Sequence, residues 1–278
     1  FAFKMVLSDQ VVEAKVVDVL WTPSKDGYLK PRIRIEPVVI GGARIEYATA
    51  FNGAFVEENK IGIGAVIQMV RSGDVIPHIM NVVTPSTEAK MPDVEYKWND
   101  THVDIMLVDK STNEIVMRKN ITGFFVGLGV EGLAAGNIKK IMKSGKNSVE
   151  DILSMTIADF LMVEGFKQKM AEKVHNSIKQ KIEEVSLAKL MSVSNLFGRG
   201  MGERRIDSVL AVYPDILTSD ETLDAKAAKV LTISGFAKKT AQAFVTHIPD
   251  FMEFITKANL KHKLAPGKKV ELDVSHPL

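Results

Sequence analysis

Apolar and polar residues alternate from Gln10 to Trp21, a valine-rich stretch whose period of two predicts a β-strand. The same alternation returns from Leu29 to Pro37, where Ile33 and Ile35 oppose Arg32, Arg34 and Glu36, and from Arg44 to Phe51 after a Gly41-Gly42 turn. Ala54 to Lys60 is short and charged and predicts a helical turn. Gly62 and Gly64 open a fourth strand, Ala65 to Arg71, and Ser72-Gly73-Asp74 turns into a fifth, Val75 to Val83. Pro85 to Asp93 is polar with two prolines and predicts a linker. Beyond it His102 to Val108 alternates, Asp109 to Asn113 is turn-like, and Glu114 to Arg118 resumes strand character, which predicts a hairpin. So short a hairpin needs a neighbour to pack on.

From about residue 124 the apolar period becomes helical. Asn137 to Lys143, Met170 to Ile182, Ile206 to Tyr213 and Ala241 to His247 each follow a glycine turn, and Ile157 to Met162, Leu187 to Val193 and Leu223 to Leu231 precede three of those turns. The first glycines are Gly132, Gly165, Gly200 and Gly235, a period of 33 to 35 residues. Only the third unit keeps a second glycine, Gly202; Ala134, Lys167 and Ala237 take that place in the others. Tetratricopeptide and ankyrin arrays share this period, but their diagnostic residues are absent. A glycine turn between two short helices matches the helix-hairpin-helix motif, in which turn amides and the second helix's N-terminus meet the DNA backbone. The candidate contacts are Gly132, Ala134, Lys139, Lys140, Arg199, Gly200, Gly202, Arg204, Arg205, Gly235, Ala237, Lys238 and Lys239. Lys167 stands where a small residue is preferred, so the second unit, despite Lys169, is expected to be a structural hairpin.

The 278 residues carry 46% hydrophobic and 25% charged side chains, ordinary for a globular protein of about two domains. A net charge of only +2 means that any nucleic-acid affinity rests on local patches. With no cysteine, disulfides and thiolate metal sites are excluded, and the six histidines show no zinc-ligand spacing. No apolar run reaches membrane-spanning length, so no membrane partner is expected. The chain starts at Phe1 and stops at Leu278, and is expected to be a piece of something longer. The fold class is thus α+β and multidomain: a small five-stranded barrel of the oligonucleotide-binding (OB) type, although a sandwich would alternate similarly, then a short β-hairpin spacer, then an all-α helix-hairpin-helix repeat domain.

Two segments carry a more specific resemblance. Arg71-Ser72-Gly73-Asp74-Val75-Ile76-Pro77, together with Lys25-Asp26-Gly27-Tyr28-Leu29-Lys30-Pro31, Ile35-Glu36-Pro37-Val38, Gly41-Gly42 and Ala48-Thr49-Ala50-Phe51-Asn52, resembles the barrel domain of NAD-dependent DNA ligases. Phe1-Ala2-Phe3-Lys4-Met5 resembles the last nucleotide-contacting motif of their adenylation domain. The four glycine turns agree with that family in number and order. The resemblance runs from Phe1 to about Phe254 and implies five segments: 1–5 as the end of the adenylation domain, 6–85 as the OB-fold domain, 86–123 as linker and zinc-free hairpin, 124–255 as the helix-hairpin-helix domain, and 256–278 as a linker to a further C-terminal domain.

The family implies roles. Lys4 would contact the AMP phosphate and stabilise charge at the transferring phosphoryl group. Arg71, with Val75 and Ile76 in the same segment, would meet DNA near the nick. Lys25 and Asp26 stand where the family carries Arg-Thr; the lysine keeps a point charge but loses the bidentate fork, and the aspartate would repel phosphate. Phe51 replaces a histidine. Ser24-Lys25-Asp26-Gly27 is not the family's Lys-x-Asp-Gly nucleophile motif, because its lysine and aspartate are adjacent. Residues 86–123 occupy the place of a four-cysteine zinc module, so no zinc is expected and the hairpin would keep the spacer's shape without metal. The implied function is the DNA-binding portion of a nick-sealing ligase, with NAD and a divalent metal such as Mg bound mainly outside this stretch, nicked double-stranded DNA as partner, a monomer, cytoplasmic or wherever replicating DNA lies. The stretch alone would be inactive. The alternatives are a non-catalytic DNA-binding accessory protein of repair or recombination and, more remotely, a helical protein-interaction scaffold. The missing zinc module and altered Lys25-Asp26 pair point to a divergent branch, viral or phage.

Overall fold

The computed structural model describes residues 10–71 and 77–264, and the chain divides into two compact units, Phe1–Val116 and Met117–Leu278. The first unit is built on five strands: β1 (Gln10–Pro23), β2 (Tyr28–Ile40), β3 (Ala43–Thr49), β4 (Val66–Arg71) and β5 (His78–Thr84). They hydrogen-bond in the order β1-β4-β5-β3-β2, and β2 pairs again with β1, so the sheet closes into a barrel. Closure removes the exposed edges that an open sheet of this size would leave. It also decides between the two expectations: this is a barrel and not a sandwich. Register shifts between Val16 and Asp18 and between Arg34 and Val38 supply the local bends. The period-two pattern sends Leu29, Ile33 and Ile35 inward and Lys30, Arg32, Arg34 and Glu36 outward. The barrel core joins Val16, Val19, Ile33, Ile35, Ile67, Met69 and Ile79 to Val56 of the helix α1 (Gly53–Glu58). Asn52 caps α1, its Oδ1 accepting from the Phe55 N–H at 2.9 Å.

Within Pro85 to Asp93, expected as a linker, residues 85–91 are stitched along the barrel. The N–H groups of Ser86 and Lys90 donate to the carbonyls of Lys60 and Ile61 (3.0 and 2.9 Å). The Trp21 indole N–H donates to the Lys90 carbonyl at 2.9 Å. The strap lies so close to Gly62 that an added methyl group there would collide with the Glu88 carbonyl oxygen.

The spacer differs from the expectation. Its hairpin is β6 (Tyr96–Trp98) with β7 (Ile105–Leu107), not His102–Val108 with Glu114–Arg118. Glu114 instead opens a helix, α2 (Glu114–Leu128). The Asn113 carboxamide oxygen accepts from the N–H groups of Ile115 and Val116 (3.0 and 3.1 Å), so this side chain starts the helix. Two β-branched residues in a five-residue window imitate a strand. The longer spacing of Val116, Ile121, Phe124, Phe125 and Leu128, all buried, is helical. The hairpin extends the barrel sheet by pairing Tyr28 with Met106 and Leu29 with Ile105. Its support is apolar: Leu29, Ile105, Leu107 and Val116 form one cluster with Trp21, Met91, Tyr96 and Trp98 packed against it. Trp98 stacks on His102 with ring centroids 3.9 Å apart.

The second unit is helical. After α2 come α3 (Ala135–Lys143), α4 (Val149–Leu153), α5 (Ile157–Leu161), α6 (Gln168–Glu184), α7 (Leu187–Ser194), α8 (Glu203–Val212), α9 (Leu223–Leu231), α10 (Lys238–Thr246) and α11 (Ile248–Lys257). They share one core in which Phe124, Phe125, Phe160, Phe197, Phe244 and Phe251 are almost wholly buried. Each expected helix is present, extended by up to three residues at its start; α2 and α4 were not foreseen, and α11 begins six residues before Phe254, from which the sequence predicts a helical start.

Because the spacer rests on apolar packing, a chelator such as EDTA should leave the thermal unfolding curve of the chain unchanged, and elemental analysis should find no stoichiometric zinc. A fall in the midpoint on chelation would show that a metal holds the hairpin.

Candidate nucleic-acid interface

The four glycine turns have the same backbone. Gly132, Gly165, Gly200 and Gly235 lie at φ of 84°, 82°, 87° and 87°, the left-handed region that an L side chain enters only at a cost. The residue two places on, Ala134, Lys167, Gly202 or Ala237, is extended at ψ of 168°, 168°, 167° and 165° and forms the N-cap of the second helix. Between them a buried apolar residue, Leu133, Phe166, Met201 or Phe236, pins the turn to the core. Only the first glycine is demanded by φ. At the second position φ runs from −75° to −105°, and a methyl group added at Gly202 would meet open space.

Capping separates the two helices of each hairpin. The leading helices are closed by side chains: Asn113 caps α2, Thr156 caps α5 through the Asp159 N–H, Ser186 caps α7 through Lys189, and Thr222 caps α9 through Ala225. In the helices that follow the turns, α3, α6, α8 and α10, no N-cap side chain accepts from the first amides, although at α10 the Thr240 hydroxyl accepts from the N-cap Ala237 N–H at 2.9 Å. Alanine and glycine offer no acceptor, and the lysine ammonium only donates. The first amides of these four helices have no intrahelical partner, and the helix dipole adds partial positive charge there. An oxyanion is the natural occupant of such a terminus.

Side chains reinforce or oppose this. Arg204 at the second position of α8 is exposed, as are Arg199 in the third turn, Lys238 and Lys239 at the start of α10, Lys139 and Lys140 on α3, and Lys167 and Lys169 at the second turn. Lys140 reaches the second turn, where a methyl group on Gly165 would come 3.1 Å from its Nζ. Arg205 is partly buried, and its guanidinium donates to the carbonyl oxygens of Gly200 (3.2 Å) and Gly235 (3.3 Å). Asn137 does the same for the first turn, donating to the Gly132 carbonyl at 2.8 Å. Two of the acidic residues near these turns, Glu131 and Glu203, are paired. Glu131 meets Lys173 at 2.6 Å, and the hydrogen bond from that ammonium holds the Glu131 carboxyl below its usual range; Glu203 meets Lys189 at 3.4 Å. Glu164 stands beside Gly165, whereas Arg199 and Ser234 hold that place in the third and fourth turns.

In the barrel unit Lys25 is exposed in the β1–β2 turn, which Ser24 shapes by accepting from the N–H groups of Asp26 and Tyr28 (3.3 and 3.2 Å). Phe51 is 62% exposed and meets Phe55 edge-on. Arg71 ends β4, but its side chain, with Lys4, Val75 and Ile76, lies outside the described residues. Sequence reasoning missed a basic and aromatic face on β2 and β3. Lys30, Arg32 and Arg34 project outward together, and Arg32 lies 3.9 Å from the centroid of the Tyr47 ring. The signal was present in the outward half of the β2 alternation. Lys30 is engaged by Asp104 at 3.0 Å. Among the described residues no three His, Asp or Glu side chains converge to hold a metal ion, and no helix is long and apolar enough to cross a membrane.

Known proteins repeat both halves of this description. The family model of the NAD-dependent DNA ligase OB-fold domain matches residues 13–91, and that of a helix-hairpin-helix tandem matches residues 128–180. A DNA ligase of Acanthamoeba polyphaga mimivirus is 37% identical over 268 residues, 96% of this chain and 42% of the relative. A putative DNA ligase of Invertebrate iridescent virus 6 is 33% identical over 246 residues (88% of this chain, 38% of the relative). A DNA ligase of the bacterium Desulfatibacillum aliphaticivorans is 26% identical over 272 residues (94% and 41%). The chain therefore spans about two fifths of the length of these curated relatives.

The two glycines of the third turn should separate on substitution. Gly200→Ala forces a methyl group into the left-handed region and should cost about 1–2 kcal/mol in denaturant unfolding. Gly202→Ala, in open space at a negative φ, should change stability by less than about 0.5 kcal/mol.

Proposed function

Because the chain corresponds to the C-terminal portion of the NAD-dependent DNA ligases, we propose that it is the part of such a ligase that holds nicked duplex DNA while the strand is sealed. The observation that carries this reading is the capping asymmetry: four glycine turns of one geometry, each presenting an uncapped helix N-terminus, beside leading helices that side chains close. Phosphate oxygens satisfy those amides in the complex. The contacts are to backbone phosphates and not to base edges, so they hold the duplex nearly independently of sequence. Arg199, Arg204 and Lys238 add charge at the third and fourth turns, and Lys139 and Lys140 at the first. Lys25 and Arg71 serve the barrel's share of the contact, with Val75 and Ile76 beside Arg71.

In the complete enzyme a lysine outside this stretch takes AMP from NAD, AMP passes to the 5′-phosphate at the nick, and the 3′-hydroxyl displaces it. NAD and the divalent metal are bound mainly outside these residues, with Lys4 reaching the AMP phosphate. This chain acts as a monomer on replicating or repaired DNA, and by itself it binds without turning over.

The 278-residue chain should bind a nicked duplex with an affinity that falls steeply with salt, a log–log slope of roughly −0.9 for each phosphate neutralised by a cation. Affinity indifferent to salt would defeat the proposal. Incubation of the same chain with labelled NAD should give no protein-bound AMP; a stable adduct would place the nucleophile within it.

Valine at both Gly200 and Gly202 should weaken nicked-duplex binding more than valine at Gly165, whose turn already carries Lys167 and Glu164. Equal losses would mean that the second hairpin meets DNA as fully as the third.

A further inference from the structure

The Arg205 guanidinium hydrogen-bonds to the backbone of two of the four turns. It donates to Gly200 O of its own turn at 3.2 Å and to Gly235 O of the fourth turn at 3.3 Å, and its Cζ lies 5.5 Å from the centroid of the Phe236 ring. These carbonyls belong to the two left-handed glycines, at φ of 87° each. Phe236 is the buried residue that pins the fourth turn. A guanidinium suits this place: it is planar, permanently charged, and offers donors in a fixed fork that can serve two acceptors while its face rests on a ring. Neighbouring Arg204 is exposed.

We propose that Arg205 is a positioning residue that couples the third and fourth turns into one two-phosphate clamp. It does not touch DNA. It sets the distance and orientation of two uncapped helix N-termini, those of α8 and α10, so that both meet phosphates of the same backbone, and it masks two carbonyl oxygens whose partial negative charge would otherwise face the nucleic acid. The first and second turns are joined by different means, Met170 and Val174 of α6 packing against Gly132 and Lys140 approaching Gly165. The fork thus belongs to the second pair. This inference rests on the DNA-binding reading above.

The test measures nicked-duplex affinity of the full chain against salt, by anisotropy of a labelled duplex, for wild type, Arg205→Met, Arg205→Lys, Arg204→Met, Gly235→Ala and the double variant Arg205→Met/Gly235→Ala. Arg205→Met and Arg205→Lys should each lose about tenfold in affinity, because lysine restores the charge but not the fork. Both should keep the wild-type salt slope, whereas Arg204→Met should make it shallower by about 0.9. The double variant should bind about as well as the weaker single variant, since both substitutions release the same turn. Arg205→Lys keeps the stem and the charge, so it reports even if Arg205→Met does not fold. Recovery of wild-type affinity by Arg205→Lys, a shallower slope in Arg205→Met, additive losses in the double variant, or unchanged affinity in both Arg205 variants would overturn the inference while leaving DNA binding intact. Failure of the wild-type chain to bind would instead sink the underlying reading, and this inference with it.

Discussion

A helix that begins without a cap leaves polar backbone groups unmet, and that happens at each of the four glycine turns. The left-handed glycine makes it possible. It turns the backbone sharply enough for the next residue to be buried and the one after to start a helix, all within three positions. No room is left for a Ser, Thr or Asn cap unless it stands at Ala134, Lys167, Gly202 or Ala237, and none does. The leading helices have such caps; away from the glycine turns α11 also starts without one, and there Pro249 near its start has no N–H to leave unmet. The capped ends are satisfied by their own side chains; the uncapped ends leave amides open to water or to an anion. Aromatic packing of Phe160, Phe166, Phe197, Phe236 and Phe244 behind the turns keeps those amides in place.

The barrel unit meets a different demand. A hairpin of two three-residue strands is not stable alone. Here it borrows an edge from β2 and a small apolar cluster from Leu29, Val116 and the two tryptophans. Packing and strand pairing do together what a metal does for a spacer too small to own a core. The strap over Gly62 closes the same side of the barrel, with the Trp21 indole tied to it.

Charge was the least legible property. A net of +2 gives no hint of an anion-binding surface. Two acidic neighbours of the turns are neutralised within the fold, Glu131 by Lys173 and Glu203 by Lys189, pairs that no local spacing reveals. Lysines that look equivalent in the sequence also differ. Lys140 leans over the next turn, and Lys229 is committed to Glu221 at 2.7 Å. An arginine beside a glycine turn reads as a phosphate contact until its partners are seen to be carbonyl oxygens, as with Arg205.

The sequence by itself determined the five barrel strands, the four glycine turns and their period, and the resemblance that joins them, because alternation, helical spacing and the left-handed demand on glycine are properties of neighbouring residues. The capping rule was also written there, in Asn113, Thr156, Ser186 and Thr222, though it went unread. The sequence misled at Glu114–Arg118, where β-branched residues favour a strand over five positions and the cap and apolar spacing of the longer segment favour a helix. Only the tertiary structure decided that the barrel closes, that β7 joins β2, that residues 85–91 are a strap, and that Arg205 spans two turns. Each of these depends on groups far apart in the chain meeting in space, and no periodicity along the chain encodes which distant partner completes a hydrogen bond or fills a gap in a core.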